Sequence, residues 1–375
     1  MSTNSIFPFF YIGKSYMKIM NFVVGSISWI QYFIPLVIEG NKRKIQSIFF
    51  IRTNSKKYAN PMIGDHFQQV KSISQKYNIK LMEMNNIANY PTLTFLMEGD
   101  ISGTSENDIN SSGLFNLSDM HLKVSLSFNA DFIWTYPKYI KYVDYVVLPG
   151  KTYATTYNHL SPKNLYLGSP KFDIQLNPNK LFTKYKLNPK NKHVIFFYPK
   201  KKWISSSPVL ENHEPKILHI ASLLKQLGFK IILKTREKDR VANKIADYYF
   251  EELDVFPNTS IELLSISNLA IMFSSATVEE CVMMNVPVID FKVDTKFTRF
   301  EFLYNPAFSR IIDDLMIPYE NFKAIVDHIT RNTQDVKNAF EETRKQHMFN
   351  NKNISAKFLD RFIKEADEKY NISVS

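Results

Sequence analysis

Residues 271–289 read IMFSSATVEECVMMNVPVI: an apolar run, two serines, a helical stretch, then Pro287 and a second apolar run. Ser274, Ser275 and Thr277 supply hydroxyls that can donate to phosphate oxygens. A turn of small residues lets backbone N–H groups approach an anion, and the helix behind it adds a positive dipole end. Glu279 and Glu280 fall in the first turns of that helix, where a carboxylate can accept from the two hydroxyls of a ribose. The same pattern also describes a plain N-capped helix with acidic residues favoured by the dipole.

Other residues suit the rest of a group-transfer reaction. IILKTRE (231–237) is a strand ending in Lys234 and Arg236, and YPKKK (198–202) places Lys200 after another strand. Cations at strand ends neutralise phosphate and can stabilise a departing diphosphate in place of a metal ion. No DxD-type acidic motif stands at a strand end, so no metal is expected. Glu98-Gly99-Asp100 closes the run LTFLM. A carboxylate there can act as general base on an acceptor hydroxyl, although Gly and Asp are also ordinary turn residues. His66 and His121 are further candidates for a base, and each equally suits a structural or exposed histidine. In NLYLGSPKFD (164–173), Gly168 reads as a turn with backbone near the ligand, and Asp173 as a cap or hinge.

Strands and helices must hold these residues. Apolar runs predict strands at 18–24, 47–52 (SIFFIR), 79–84, 93–97 (LTFLM), 145–148 (YVVL) and 165–167. Further strands are predicted at 193–198 (HVIFFY), 230–234 (KIILK), 269–273 (LAIMF) and 286–291 (VPVIDF). Helical periodicity falls at 29–39, 65–77, 217–227, 241–250, 277–284, 320–330 and 355–369. Strands separated by helices mean βαβ units and parallel sheets with right-handed crossovers. The polar stretch 99–118 reads as a loop, and 171–191, rich in Pro, Asn and Lys, as an interdomain linker.

At 375 residues the chain is long enough for two domains. An apolar content of 45% and a charged content of 22% fit a packed globular protein and exclude disorder or collagen. No fixed-period repeat is present. The formal net charge of +11 favours anionic partners. The lysines are dispersed, which equally describes a solvated surface, and no aromatic–basic motif for nucleic acid stands out. A single cysteine, Cys281, excludes an intrachain disulfide and suits a reducing, cytoplasmic compartment. Residues 19–38 carry no charged side chain and are about long enough to span a bilayer. Their Gly, Ser and Pro content favours a buried strand–turn–helix, with a membrane anchor as the alternative.

The run 271–289 resembles the nucleotide-diphosphate-binding segment of the GT-B superfamily. In UDP-N-acetylglucosamine 2-epimerases this segment reads S-G-G-x-Q-E-E-A, then G-x-P. Here it is Ser274-Ser275-Ala276-Thr277-Val278-Glu279-Glu280-Cys281, then Asn285-Val286-Pro287. The looser S-S-x-x-x-x-E form of glycosyltransferases and CDP-glycerol glycerophosphotransferases fits as well. The resemblance implies Ser274 and Ser275 at the diphosphate and Glu280 at the ribose. Residues 164–173 resemble the strand–Gly–x–Pro–x–x–Asp close of the superfamily's first domain. Gly99-Asp100 resembles the epimerase segment whose Asp takes part in proton chemistry. Those epimerases carry a His-Arg pair after the first strand of the second domain. Tyr198-Pro199-Lys200-Lys201 stands there instead, which favours transfer over epimerisation.

The expectation is therefore an α/β protein of the GT-B type, two Rossmann-like domains with a cleft between them. Residues 1–173 would form an acceptor domain and 174–349 a nucleotide-binding domain. Residues 350–375 would form a C-terminal helix packing back toward the first domain. The implied enzyme is a metal-independent glycosyltransferase with Asp100 or Glu98 as base. Ser274, Ser275, Thr277, Glu280, Lys234, Arg236, Lys200 and Gly168 would bind the donor. It would move a sugar or polyol phosphate from a nucleotide-sugar, UDP-linked, to a glycan or lipid-linked acceptor in polysaccharide assembly. No separate cofactor and no nucleic acid are expected, and the cytoplasmic protein would touch the membrane peripherally. An epimerase-like enzyme and a nucleotide-binding protein without turnover are the alternatives.

Overall fold

A computed structural model describes residues 18–53, 62–84, 92–97, 119–127, 140–156, 158–199, 201–235, 240–250, 254–293, 300–349 and 353–370. The chain divides into two compact units. The first comprises Met1–Trp29, Phe33–Val146 and Asn353–Ser375; the second comprises Ile30–Tyr32 and Val147–Lys352.

A seven-stranded sheet runs in the order β3-β2-β1-β4-β5-β6-β7. Its strands are β1 (Ile19–Val24), β2 (Gln46–Ile51), β3 (Ile79–Glu83), β4 (Thr92–Met97), β5 (His121–Leu126), β6 (Tyr145–Leu148) and β7 (Asn164–Tyr166). β1 pairs parallel with β2 and β4, β2 with β3, and β4 with β5. Strands buried on both faces favour near-continuous apolar runs, which is why SIFFI and LTFLM lack alternation, with Ser47 and Thr94 their buried polar members. Helices α1 (Ile30–Lys42), α2 (Gly64–Lys76) and, from the far end of the chain, α12 (Ile354–Lys369) complete this layer set. Phe22 on β1 stacks on Phe95 of β4 with ring centroids 5.4 Å apart, and Phe362 of α12 meets Phe95 edge-on at 6.1 Å. Arg43 reaches Asp360 of α12 at 2.5 Å, and Lys369 reaches Asp144 at 3.1 Å.

The second unit holds a six-stranded sheet in the order β10-β9-β8-β11-β12-β13. Its strands are β8 (Lys192–Phe197), β9 (Phe229–Lys234), β10 (Tyr248–Phe250), β11 (Leu269–Phe273), β12 (Val288–Phe291) and β13 (Ser309–Ile312). Every neighbouring pair is parallel. Helices α3 (Lys151–Thr156), α4 (Pro178–Lys184), α5 (Lys201–Ser206), α6 (His213–Gln226), α7 (Arg240–Ile245), α8 (Thr259–Leu264), α9 (Val278–Met284), α10 (Tyr319–Ile329) and α11 (Gln334–Thr343) belong to this unit. Its core gathers Ile217, Ile220 and Leu224 of α6 and Phe322, Val326 and Ile329 of α10 against the sheet. Both sheets have the doubly wound order, reversing direction between β1 and β4 and between β8 and β11.

Several expectations are corrected. The segment taken as a linker contains α4, capped by Asn177, whose side chain accepts from Lys180 N–H, and anchored by buried Leu181. The helix expected over 241–250 stops at Ile245, and Tyr248–Phe250 joins the sheet edge as β10. Strands β5 and β13 were not anticipated. Residues 19–38 form β1, a 3-10 turn and the start of α1. No helix among the described residues is long and apolar enough to cross a membrane. The polar stretch 99–118 lies outside the described residues.

Candidate functional site

The turn after β11 sits where the winding of the second sheet reverses, the place where open parallel sheets bind ligands. Apolar β11 is fully buried and fixes the register Phe273 to Phe291 with β12. The chain then turns at Ser274, which adopts a left-handed conformation, φ +46°. A residue with a Cβ enters that region at a cost, so surrounding bonds must hold it. They do: Ser274 N–H donates to Asp290 Oδ1 at 2.6 Å, and Ser274 Oγ accepts from Val293 N–H at 3.0 Å.

Asp290 is the hub of the turn. Its carboxylate on β12 is 2% exposed, accepts from the backbone N–H of both Ser274 and Ser275, and receives the Tyr304 hydroxyl. Burial pushes its pKa up to about 6 against the opposing pull of those hydrogen bonds. Two of the amides expected to face a phosphate thus already hold an internal anion. The donor groups of the turn with partial exposure are the hydroxyls of Ser275 and Thr277, which lie 2.9 Å apart.

Helix α9 carries the acidic pair. Glu279 is 2% exposed and takes the Tyr153 hydroxyl on Oε1 at 2.5 Å. Glu280 Oε1 accepts from Lys171 Nζ at 3.0 Å, and the same ammonium lies 3.7 Å from Glu279 Oε2. Lys171 is buried, with Nζ 5.2 Å from the ring centre of Tyr32 and 4.7 Å from that of Phe172. Burial opposes the charge of Lys171, but Glu280, Tyr32 and Glu279 together hold its pKa well above the ordinary lysine value. Burial raises the Tyr153 hydroxyl pKa, with Glu279 adding to the effect, so it stays a donor. The helix ends at Asn285 in a left-handed C-cap, φ +58°, a role that Asn fills where Gly is absent. Arg344 donates to Asn285 Oδ1 and to Val282 O.

Ser274, Ser275, Thr277 and Glu280 therefore lie on one turn and one helix. Lys234 ends β9 and is 5% exposed. β8 lies between β9 and β11, so its backbone stands two strand spacings, roughly 10 Å, from β11. Gly168 is buried and turns the chain at φ +86° just before Lys171. Asp173 caps the 3-10 turn Pro170–Phe172. His66 is exposed on α2, and His121 is buried in β5 with Nδ1 2.8 Å from Thr94 Oγ1. Glu98, Asp100, Lys200 and Arg236 lie outside the described residues. No cluster of three metal-ligating side chains occurs among the described residues. Sequence reasoning missed Asp290, Tyr304, Tyr153 and Lys171. A charged residue inside the apolar run VPVIDF, and a lysine amid GSPKFD, were the available signals.

No protein-family model and no curated protein matches the chain. Solved structures do. A UDP-N-acetylglucosamine 2-epimerase from Listeria monocytogenes is similar with a TM-score of 0.60 at 13% identity, over 95% of this chain and 97% of that one. The wall teichoic acid polymerase TagF is similar with a TM-score of 0.55 at 13% identity, over 95% and 90%. A UDP-GlcNAc 2-epimerase from Neisseria meningitidis bound to UDP-GlcNAc has a TM-score of 0.58 at 12% identity, over 92% and 99%. Together with the two doubly wound parallel sheets, these likenesses identify the fold of the chain as GT-B.

Proposed function

We propose that the protein is a glycosyltransferase that takes a nucleotide-diphosphate donor, UDP-linked, and transfers its sugar or polyol phosphate to a glycan or lipid-linked acceptor. The observation that carries this reading is the turn Ser274–Thr277 at the carboxyl end of β11, running into a helix that presents Glu280. The Ser275 and Thr277 hydroxyls would meet the diphosphate, and Glu280, the more exposed of the acidic pair, the ribose. Lys234, Lys200 and Arg236 would balance the charge of the departing diphosphate. In sugar transfer, the acceptor hydroxyl attacks the anomeric carbon as the bond to the diphosphate oxygen breaks. The hydroxyl proton passes to a base, for which Asp100 or Glu98 is proposed. Similarity to a structure bound to UDP-GlcNAc and to a teichoic acid polymerase supports the donor and acceptor classes.

A thermal-shift screen with UDP, CDP, GDP, TDP and ADP tests the reading, with Glu280→Ala alongside the wild type. A ligand at 100 times its Kd stabilises by about 2.7 kcal/mol, which is several degrees. The expected outcome is one nucleotide that stabilises the wild type and not the variant. Stabilisation of neither protein by any of the five would refute it. Epimerisation is the second reading, supported by the similar 2-epimerases. Conversion of UDP-GlcNAc to its 2-epimer without acceptor would favour it.

A further inference from the structure

We propose that Lys171 is a positioning residue for the nucleotide site, acting through Glu280; the inference rests on the reading of Glu280 as the ribose carboxylate. Adjacent residues on one short helix, Glu279 and Glu280 carry two negative charges, and one ammonium lies within 4 Å of both. Burial raises the cost of leaving two such carboxylates together without a cation. Lys171 removes that cost. It donates to Glu280 Oε1 at 3.0 Å, a charged hydrogen bond that restricts the carboxylate's rotation. Tyr153 does the same for Glu279, so the two acids have separate tasks: Glu279 is locked inside and Glu280 faces the partly exposed edge.

The position of Lys171 follows from its own segment. Gly168 turns left-handed, Pro170 opens a 3-10 turn, and Lys171 is delivered in the middle of it, its ammonium lying over the rings of Tyr32 and Phe172. Among the described residues, the titratable groups around Glu280 are Tyr32 from α1, Tyr153 from α3, Lys171 from the 3-10 turn, and Glu279 and Cys281 from its own helix. Lys171 is the cation of the set. One ammonium against two carboxylates leaves one net negative charge, available to accept hydroxyl donors.

The test measures affinity by calorimetry at pH 6, 7 and 8 for whichever of UDP, CDP, GDP, TDP and ADP gives the largest wild-type shift. Lys171→Gln keeps length and a donor but removes the charge. Its affinity is expected to fall at least tenfold at pH 7, while the wild type changes less than threefold between pH 6 and pH 8. Lys171→Arg should stay within threefold. In a Glu280→Gln background, Lys171→Gln should cause no further loss, because its effect passes through that carboxylate. Unchanged affinity in Lys171→Gln, or a full loss on top of Glu280→Gln, overturns the proposal and leaves the nucleotide reading standing. Absence of wild-type binding to all five overturns both. Should Lys171→Gln fail to fold, Lys171→Arg decides: a tenfold loss in that folded, charged variant refutes the positioning role.

Discussion

Replacing Asp290 with Asn removes one charge from the turn after β11 and leaves its shape. The amide oxygen still accepts from Ser274 and Ser275 N–H, and the amide nitrogen can donate to the Tyr304 oxygen that formerly donated. The carboxyl pKa is raised in the fold, from the ordinary 3.8 to about 6. The folded state therefore holds this proton more tightly than the unfolded chain. Its contribution to stability is complete below pH 4 and is lost as the pH rises through 6. Between pH 5 and 7.5 the wild type should lose about 1.4 kcal/mol from this group alone, and Asp290→Asn should lose none of it. For a unit of this size that is about 3–6 °C in melting temperature. The assay is a pair of melting curves at each of several pH values, reading the difference between variant and wild type so that all other titrations cancel. The difference should shift in favour of Asp290→Asn as the pH rises. A difference that stays flat, or moves the other way, would show that the Asp290 carboxyl is not held under a burial penalty.

Two further substitutions probe the same unit. Tyr153→Phe leaves the buried Glu279 carboxylate without its hydroxyl donor and should destabilise by about 1.5–3 kcal/mol in urea titration. Gly150→Ala would place a Cβ 2.0 Å from the carbonyl oxygen of His347, which is backbone and cannot rotate away. A loss of about 1–3 kcal/mol should appear as a lowered melting temperature, and a neutral effect would mean that the segment around His347 yields.

Legibility from sequence followed burial. LAIMF and the IIL of KIILK announced central parallel strands because both faces are covered and consecutive side chains are apolar. β5 escaped notice because HLKVSL mixes a buried histidine and a partly buried lysine into the run, and its partner Thr94 shows only in three dimensions. β10 spans three residues, too few for any period, and sits directly behind a helical pattern. At the candidate site the hydroxyls and acids of SSATVEE stood in one contiguous stretch and could be read. Asp290, Tyr304, Tyr153 and Lys171 reach that stretch from separate segments, and no local spacing relates them to it.

The first unit is built from both ends of the described chain, whereas the second is nearly continuous. On the ribosome, which delivers the amino end first, β1 to β5 emerge early, yet Phe95 lacks its cover from Phe362 until α12 has been made. The second unit, encoded almost wholly in between, has all of its residues available before that moment. The part begun first is thus finished last, with its aromatic sheet face uncovered for the time needed to translate more than two hundred residues. Nascent chains stalled before residue 353 should bind holdase chaperones through that face and release them once α12 is free of the exit tunnel.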